Sequence, residues 1–320
     1  LCTVRNEQGL DDRNGSRSLP LAMVSELGEP YEKVLKMRWR NLERSKNVQD
    51  RRGQTAKVAG GVGGLGIIGL LLALFMGGGG GDVGDLIGQL GAPQTTAAAQ
   101  DTGEFDGIDD EEAFVMAILG TTETLWTDVF AASGQTYDPA TVVLFSDATA
   151  SGCGGASSAT GPHYCPLDET IYIDLTFYDE LKRRFGASGG DFAEAYVLAH
   201  EVAHHIQHEL GIMDDVREVQ QSRPSEANEY SVRLELQADC LAGVWANSIF
   251  QRDNVLERGD ISEGLSAAEA VGDDRIQMTT TGRVNPESFT HGTSEQRVGW
   301  FNVGYETGDP AACDTFNTEI

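Results

Sequence analysis

The sequence predicts an α+β domain, mostly helical with a small sheet beside one central helix, preceded by one N-terminal transmembrane helix. Three observations predict this. Asp191 to Leu210 and Arg233 to Phe250 carry apolar residues at helical spacing, the first without glycine or proline and the second interrupted only by Gly243. Thr141–Phe145 and Thr170–Leu175 are short runs rich in β-branched and aromatic residues, which read as strands. Val58 to Met76 is a nineteen-residue run without a charge, and as a helix it spans roughly 28 Å, enough for a hydrocarbon core.

Taken in order, the chain has 320 residues and 40% hydrophobic content, enough for one sizeable domain plus attachments. Its net charge of −27 is uneven: residues 1–57 hold 12 of the 23 basic and 8 of the 50 acidic residues, about +4. The remaining 11 basic against 42 acidic residues leave −31. So acidic a main domain excludes nucleic acid and anionic membrane surfaces as its partners. Residues 1–36 are polar and unpatterned, and we expect an unstructured extension ahead of a biological start at Met37. Residues 37–57 read as a basic cytoplasmic segment. Arg51, Arg52 and Lys57 precede the apolar run and no basic residue follows it closely. The expectation is therefore a single pass of the cytoplasmic membrane, N-terminus inside and main domain outside. A glycine-rich linker or a cleaved signal peptide are the rival readings of 58–76. Residues 77–108 have the composition of a linker, and the folded domain is expected over 109–320.

Asp109, Asp110, Glu111 and Glu112 suit a helix N-terminus, and Phe114, Ile118, Leu125 and Trp126 continue as a helical stripe to about Phe130. A Gly/Ser/Ala loop from Ala148 to Gly161 separates the two strands. Ile171 to Leu175 is expected to lie along the cleft and offer its edge to an extended substrate. Tyr178 to Phe185 precedes the central helix, and helices are expected near Leu265–Asp273, Asp274–Met278 and Ser294–Glu306.

The central helix contains Ala199-His-Glu-Val-Ala-His204, with Asp191 as N-cap and Gly211 as stop. On a helix, positions i and i+4 share a face, so His200 and His204 aim their imidazoles at one point, half of a tetrahedral zinc site. Glu201 adjoins the first of them and can take a proton from a water at the metal as it attacks a carbonyl, then hand it to the leaving amine. The plainer reading, a polar turn on an amphipathic helix, sits badly with Val197, Leu198, Ala199, Val202, Ala203 and Ile206, which leave little solvated surface. Glycine and histidine, three and six residues after His204 in metzincins, are here Gln207 and Leu210, which excludes that subclass. An acidic third ligand is available from the second helix. Glu235 and Asp239 are again i and i+4, Glu235 as ligand and Asp239 as acceptor for a ligand imidazole's N–H, with the exchange of these roles as the competitor. A solvated acidic face is the plain alternative.

Five cysteines occur: Cys2, Cys153, Cys165, Cys240 and Cys313. The four beyond the apolar run form an even set suited to an exported domain. Cys153–Cys165 would close a short loop, worth roughly 3 kcal/mol, and Cys240–Cys313 would tie the C-terminus to the second metal helix. Zinc ligation by cysteine is the rival, but no C-x-x-C spacing occurs.

Several blocks then match in order: Met37-Arg-Trp-Arg40, Asn47-Val-Gln-Asp-Arg-Arg-Gly53, Ser151-Gly-Cys-Gly154, Gly161-Pro-His-Tyr-Cys-Pro166, Ile171-Tyr-Ile-Asp-Leu175, Ala199 to Gln207, Glu235 to Trp245 and Ser288 to Arg297. Together they resemble the neutral zinc metallopeptidase family of bacteria over about Met37 to Tyr305. The resemblance implies a zincin-like fold, a single-pass membrane protein, Zn2+ as cofactor and Glu235 as the acidic third position. Ala203 stands where glycine is more usual and His163 where an aromatic is more usual. Peptidases of this kind often use a donor to hold the oxyanion. His291 is the candidate, with Tyr164, Tyr172 and Arg297 as rivals, and a histidine bonded within its own loop is an equal reading. His205 should face away from the metal and His208 should lie at its edge or at the surface. The sequence therefore points to a membrane-anchored zinc endopeptidase acting on a peptide or protein substrate. A zinc-stabilised scaffold protein of the cell envelope is the alternative, and an amidase or esterase would share the chemistry.

Overall fold

A computed structural model of the chain describes residues 37–52, 110–157 and 160–320. The extension 1–36, the apolar run 58–76 and the linker 77–108 lie outside the described residues. Among the described residues, no helix is long and apolar enough to cross a membrane.

The sheet has four strands in the order β1 (Val48–Asp50), β2 (Thr141–Phe145), β6 (Thr170–Asp174) and β5 (His163–Cys165). β1, β2 and β6 run parallel, with Val48 opposite Val142 and Val142 opposite Ile171, and β5 joins β6 antiparallel. Strands buried on both faces need continuous apolar runs. Thr-Val-Val-Leu-Phe and Thr-Ile-Tyr-Ile supply them, and every residue of β6 is buried. A separate hairpin, β3 (Ala148–Ser151) with β4 (Gly154–Ser157), occupies part of the expected loop.

This topology narrows one expectation about the cleft. The edge strand β5 covers Thr170–Tyr172 of β6, so of the expected edge Ile171–Leu175 only the part from Ile173 onward has no strand beside it there. Alternation and β-propensity identify a strand, but which strand lies outermost is decided by pairing.

A second finding concerns the N-terminal segment. β1 is a strand of the same sheet, and Met37 and Trp39 are buried in the main core, Trp39 edge-on to Phe114 with ring centroids 5.4 Å apart. The basic residues here are partners of acids in the domain. Arg52 pairs with Asp50 at 3.1 Å and with buried Glu112 at 2.6 Å, and Arg40 with Asp110 at 2.8 Å. Residues 37–52 thus pack into the same core as 110–320. The described fold therefore takes in Met37–Arg52 as well as the expected domain from 109, while the run 58–76 lies outside the described residues.

Helix α1 (Asp110–Ala132) matches the acidic start and apolar stripe, and α2 (Thr176–Phe185) follows β6 directly. The central helix, α3 (Asp191–Glu209), is capped by Gly190 rather than Asp191, which is its first residue. Its apolar residues are buried all round, among them Phe192, Ala195, Leu198, Ala199, Val202 and Ile206, as expected for a helix enclosed by others. After α4 (Ile212–Ser222), the second long helix, α5 (Ala227–Ser248), begins six residues before Arg233. α6 (Asp260–Ala270), α7 (Asp273–Thr281) and α8 (Ser294–Thr307) complete the helical side.

Gly243 on α5 and Gly304 on α8 explain each other. A Cβ on Gly243 would run into the Phe301 carbonyl oxygen, and one on Gly304 into the Cys240 carbonyl oxygen. Two glycines let these helix backbones approach closely, so the weak point in the α5 pattern is a packing requirement. Cys153–Cys165 and Cys240–Cys313 are both disulfides, and the second ties the C-terminal tail to α5.

Candidate metal centre

α3 and α5 bring His200, His204 and Glu235 together, and their donor atoms lie within 4.8 Å of one another. His200 Nε2 is 3.2 Å from Glu235 Oε2, and His204 Nε2 is 3.5 Å from Glu235 Oε1. Tetrahedral zinc with bonds of about 2.0–2.1 Å has ligand atoms about 3.3–3.4 Å apart. The observed separations bracket that edge, so the donor set fits zinc in both chemistry and spacing. His200, Glu201 and His204 are only 6%, 8% and 9% exposed, which makes this a largely dry site where charge interactions are strong.

Both imidazoles are held by their other nitrogen. His200 Nδ1 lies 2.9 Å from Asp239 Oδ1. Asp239 is fully buried and also accepts bonds from Tyr196 Oη at 2.5 Å and from Arg297 Nε and Nη2 at 2.8 and 2.9 Å. His204 Nδ1 lies 2.8 Å from Gln207 Oε1, while Gln207 Nε2 donates to the Leu234 carbonyl at 2.7 Å. That carbonyl requires the amide nitrogen on its side, so the amide oxygen faces His204 and accepts its Nδ1–H. Each histidine thereby presents Nε2 toward Glu235, the arrangement that orients metal-binding imidazoles.

The electrostatics are those of a site made for a cation. Burial opposes charge on His200, yet Asp239 and Glu235 outweigh it and raise its pKa to about 10. Burial likewise opposes ionisation of Asp239, but Arg297 and His200 hold its carboxyl down at about 2. Glu235 is held well below the carboxylate range, against burial, by His204, His291 and His200. Asp239 touches His200 from behind, with its oxygens taken up by His200, Tyr196 and Arg297; the competing assignment of Asp239 as the ligand does not agree with this geometry.

The family model described as "Putative neutral zinc metallopeptidase" matches residues 37–316. The chain belongs to this family. Its relatives include "Uncharacterized protein YpfJ" of Escherichia coli K12, 46% identical over 291 residues, an alignment taking in 89% of this chain and all of that protein. "Uncharacterized protein Rv2575" of Mycobacterium tuberculosis H37Rv is 51% identical over 183 residues, 54% of this chain and 61% of that one. No solved structure matches. The family match agrees with the donor set, and it begins at Met37, the first of the described residues.

In this zinc metallopeptidase family member the donor triangle opens into a cavity of about 360 Å³ lined by Glu201, Tyr164, His163, His291 and Arg297 among others. The four oxyanion candidates separate there. Tyr172 sits in a second core cluster with Val143, Phe145 and Cys165, and its hydroxyl donates to Asp168 Oδ2 at 2.7 Å. Arg297 is committed to Asp239. Tyr164 reaches the cavity, but its hydroxyl is bonded to His208 Nδ1 at 2.7 Å and His205 Nδ1 at 3.1 Å. His291 lines the cavity with Nδ1 turned to Asp273 Oδ1 at 3.3 Å, and Asp273 Oδ2 accepts from the backbone N–H of Thr290, His291 and Gly292. Burial works against charge on His291, but Glu235 and Asp273 keep its pKa above the ordinary value.

His205 faces away from the metal site as expected, its Nε2 2.6 Å from the Asp138 carbonyl, and burial lowers its pKa. His208 Nδ1 is bonded to the Tyr164 hydroxyl. His163 stacks on Tyr172, with centroids 5.4 Å apart. Sequence reasoning missed Gln207, Tyr196 and Asp273. Gln207, three residues after His204 on the same helix face, carried a usable signal. Asp273 carried none, since it meets His291 only through the fold.

Proposed function

We propose that this protein is a zinc-dependent endopeptidase with a zincin-like active site. The observation that carries the reading is the triangle of His200, His204 and Glu235 opening into a cavity that Glu201 also lines. Zinc bound there supplies a Lewis acid that polarises the scissile carbonyl and makes water more acidic. Glu201 takes the proton of the attacking water and delivers it to the leaving amine. His291, steadied by Asp273, donates a hydrogen bond to the oxygen that becomes negative in the tetrahedral intermediate. An extended peptide pairs with β5, whose residues His163 and Tyr164 line the cavity with Gly161 and Pro162. Phe177, Leu181, Phe185, Val271 and Ile276 form an apolar wall, which favours a substrate with an apolar side chain beside the scissile bond. Two disulfides support an oxidising compartment; residues 37–52 then accompany the domain to the same side of the membrane, and the run 58–76 is its candidate membrane contact.

Glu201→Gln tests the mechanism. The variant should keep one zinc per chain by elemental analysis and lose cleavage of an unstructured protein by on the order of 10²–10⁴-fold. Zinc retained with unchanged cleavage would exclude Glu201 as the base. Zinc retained in both proteins without cleavage by either would favour a structural metal.

A further inference from the structure

Glu180 is a charge set in an otherwise apolar wall. On α2, Phe177, Glu180, Leu181 and Phe185 stand at i, i+3, i+4 and i+8, which is one face of a helix, and all four line the cavity beside the metal centre. Phe177 and Phe185 are only half-buried, so their rings leave apolar surface uncovered. Asp179, Lys182 and Arg183 of the same helix are exposed and do not line the cavity.

Three carboxylates line the cavity, and Glu235 and Glu201 belong to the metal centre and to the proposed proton transfer. Glu180 belongs to neither. Its cationic neighbour is Arg184, one turn further on, with Nη1 3.9 Å from Oε1 and side chains 43% and 48% exposed. An exposed pair at that distance is worth little, and another cation can displace it. Arg297, the arginine that lines the cavity, is committed to Asp239. The Glu180 carboxylate is therefore open to a charge that a ligand brings.

Such a wall selects a side chain made of two parts. By itself it favours an apolar side chain. With a carboxylate in it, it favours a long methylene stem that lies on the apolar surface and ends in a cation. Lysine and arginine are built this way. The charge of the domain acts in the same direction, because the −31 carried beyond residue 57 draws cationic chains toward it.

We propose that Glu180 selects a lysine or arginine of the substrate beside the scissile bond, with the stem on Phe177, Leu181 and Phe185 and the cationic head on the carboxylate. The inference rests on the peptidase reading and narrows it to basic peptides and proteins.

The test uses the full chain, zinc-loaded, and quenched fluorescent peptides that differ in one residue. That residue is lysine, norleucine or glutamate, placed in turn on each side of the bond that is cut. Norleucine resembles the lysine stem without its charge, so its cleavage reports the peptidase and the wall. The lysine-to-norleucine ratio of kcat/KM then reports Glu180. In wild type at low salt this ratio should be about 10 on one side of the bond, with glutamate the poorest of the three. Glu180→Gln should remove most of the lysine preference, and Glu180→Lys should turn it toward glutamate. Both substitutions are at a half-exposed side chain and should leave the fold intact, and a ratio within one protein does not depend on how much of it is active. Norleucine cleaved without a lysine preference on either side, or a preference that survives Glu180→Gln, would overturn the inference and leave the peptidase standing. Cleavage of none of the peptides would overturn both.

Discussion

At the residue scale, the metal centre depends on side chains that never touch the cavity's contents. Asp239 fixes His200, and Arg297 and Tyr196 in turn fix Asp239. Asp239→Asn keeps the shape but breaks a buried ion pair, leaving the Arg297 guanidinium without its counter-charge. We expect zinc affinity to fall about 10–100-fold in a competition titration. Stability should fall by about 3–5 kcal/mol in urea unfolding. Unchanged zinc affinity would mean that Asp239 serves the fold alone. Gln207 plays the matching part for His204, so the two imidazoles are oriented by different chemistries, one charged and one neutral.

At the element scale, the candidate metal centre depends on how closely α5 and α8 approach. Glu235 and Asp239 lie on α5, Arg297 lies on α8, and Gly243 and Gly304 set the spacing between the helices. Gly243→Ala improves helix propensity by up to about 1 kcal/mol but drives a methyl group into the Phe301 carbonyl. Overpacking of this kind costs typically 1–3 kcal/mol, so net destabilisation is expected. A variant at least as stable as wild type by urea midpoint would refute the close-approach account. The same displacement should move Arg297 off Asp239, and zinc affinity should drop together with stability.

At the scale of the whole molecule, the N-terminal segment is part of the domain. Without residues 37–52 the sheet loses β1, the core loses Met37 and Trp39, and Glu112 loses Arg52. Burial, with Asp50 acting the same way, already raises Glu112 to about 7 against the pull of Arg52. A protein of residues 109–320 should therefore be poorly soluble or unfold well below the full chain. A peptide of residues 37–52 should restore part of that stability when added. A 109–320 protein melting with the full chain would show that the segment is dispensable. The Cys240–Cys313 disulfide belongs to this scale too, because it closes a separation of 73 residues.

How much could be read before folding follows from the range of each interaction. The two metal histidines, Glu201 and the Glu235/Asp239 pair were legible because helical geometry relates residues four apart without reference to anything else. The two disulfides were legible because the four cysteines beyond the apolar run leave few pairings, and the long helices because burial all round writes a continuous apolar text. What pairs across the chain was not legible. The partnership of Arg52 with Glu112 and the meeting of Asp273 with His291 are decided by residues 60 and 18 positions apart. No local pattern encodes such a contact, since the same arginine reads equally well as a membrane flank or as a buried counter-ion. The sequence by itself determined the two helices that carry His200, His204 and Glu235 and the donor set they bring together. Only the tertiary structure decided which strand borders the cavity, which side chains hold the ligands, and that the N-terminal segment belongs to the domain, because packing alone brings those distant residues together.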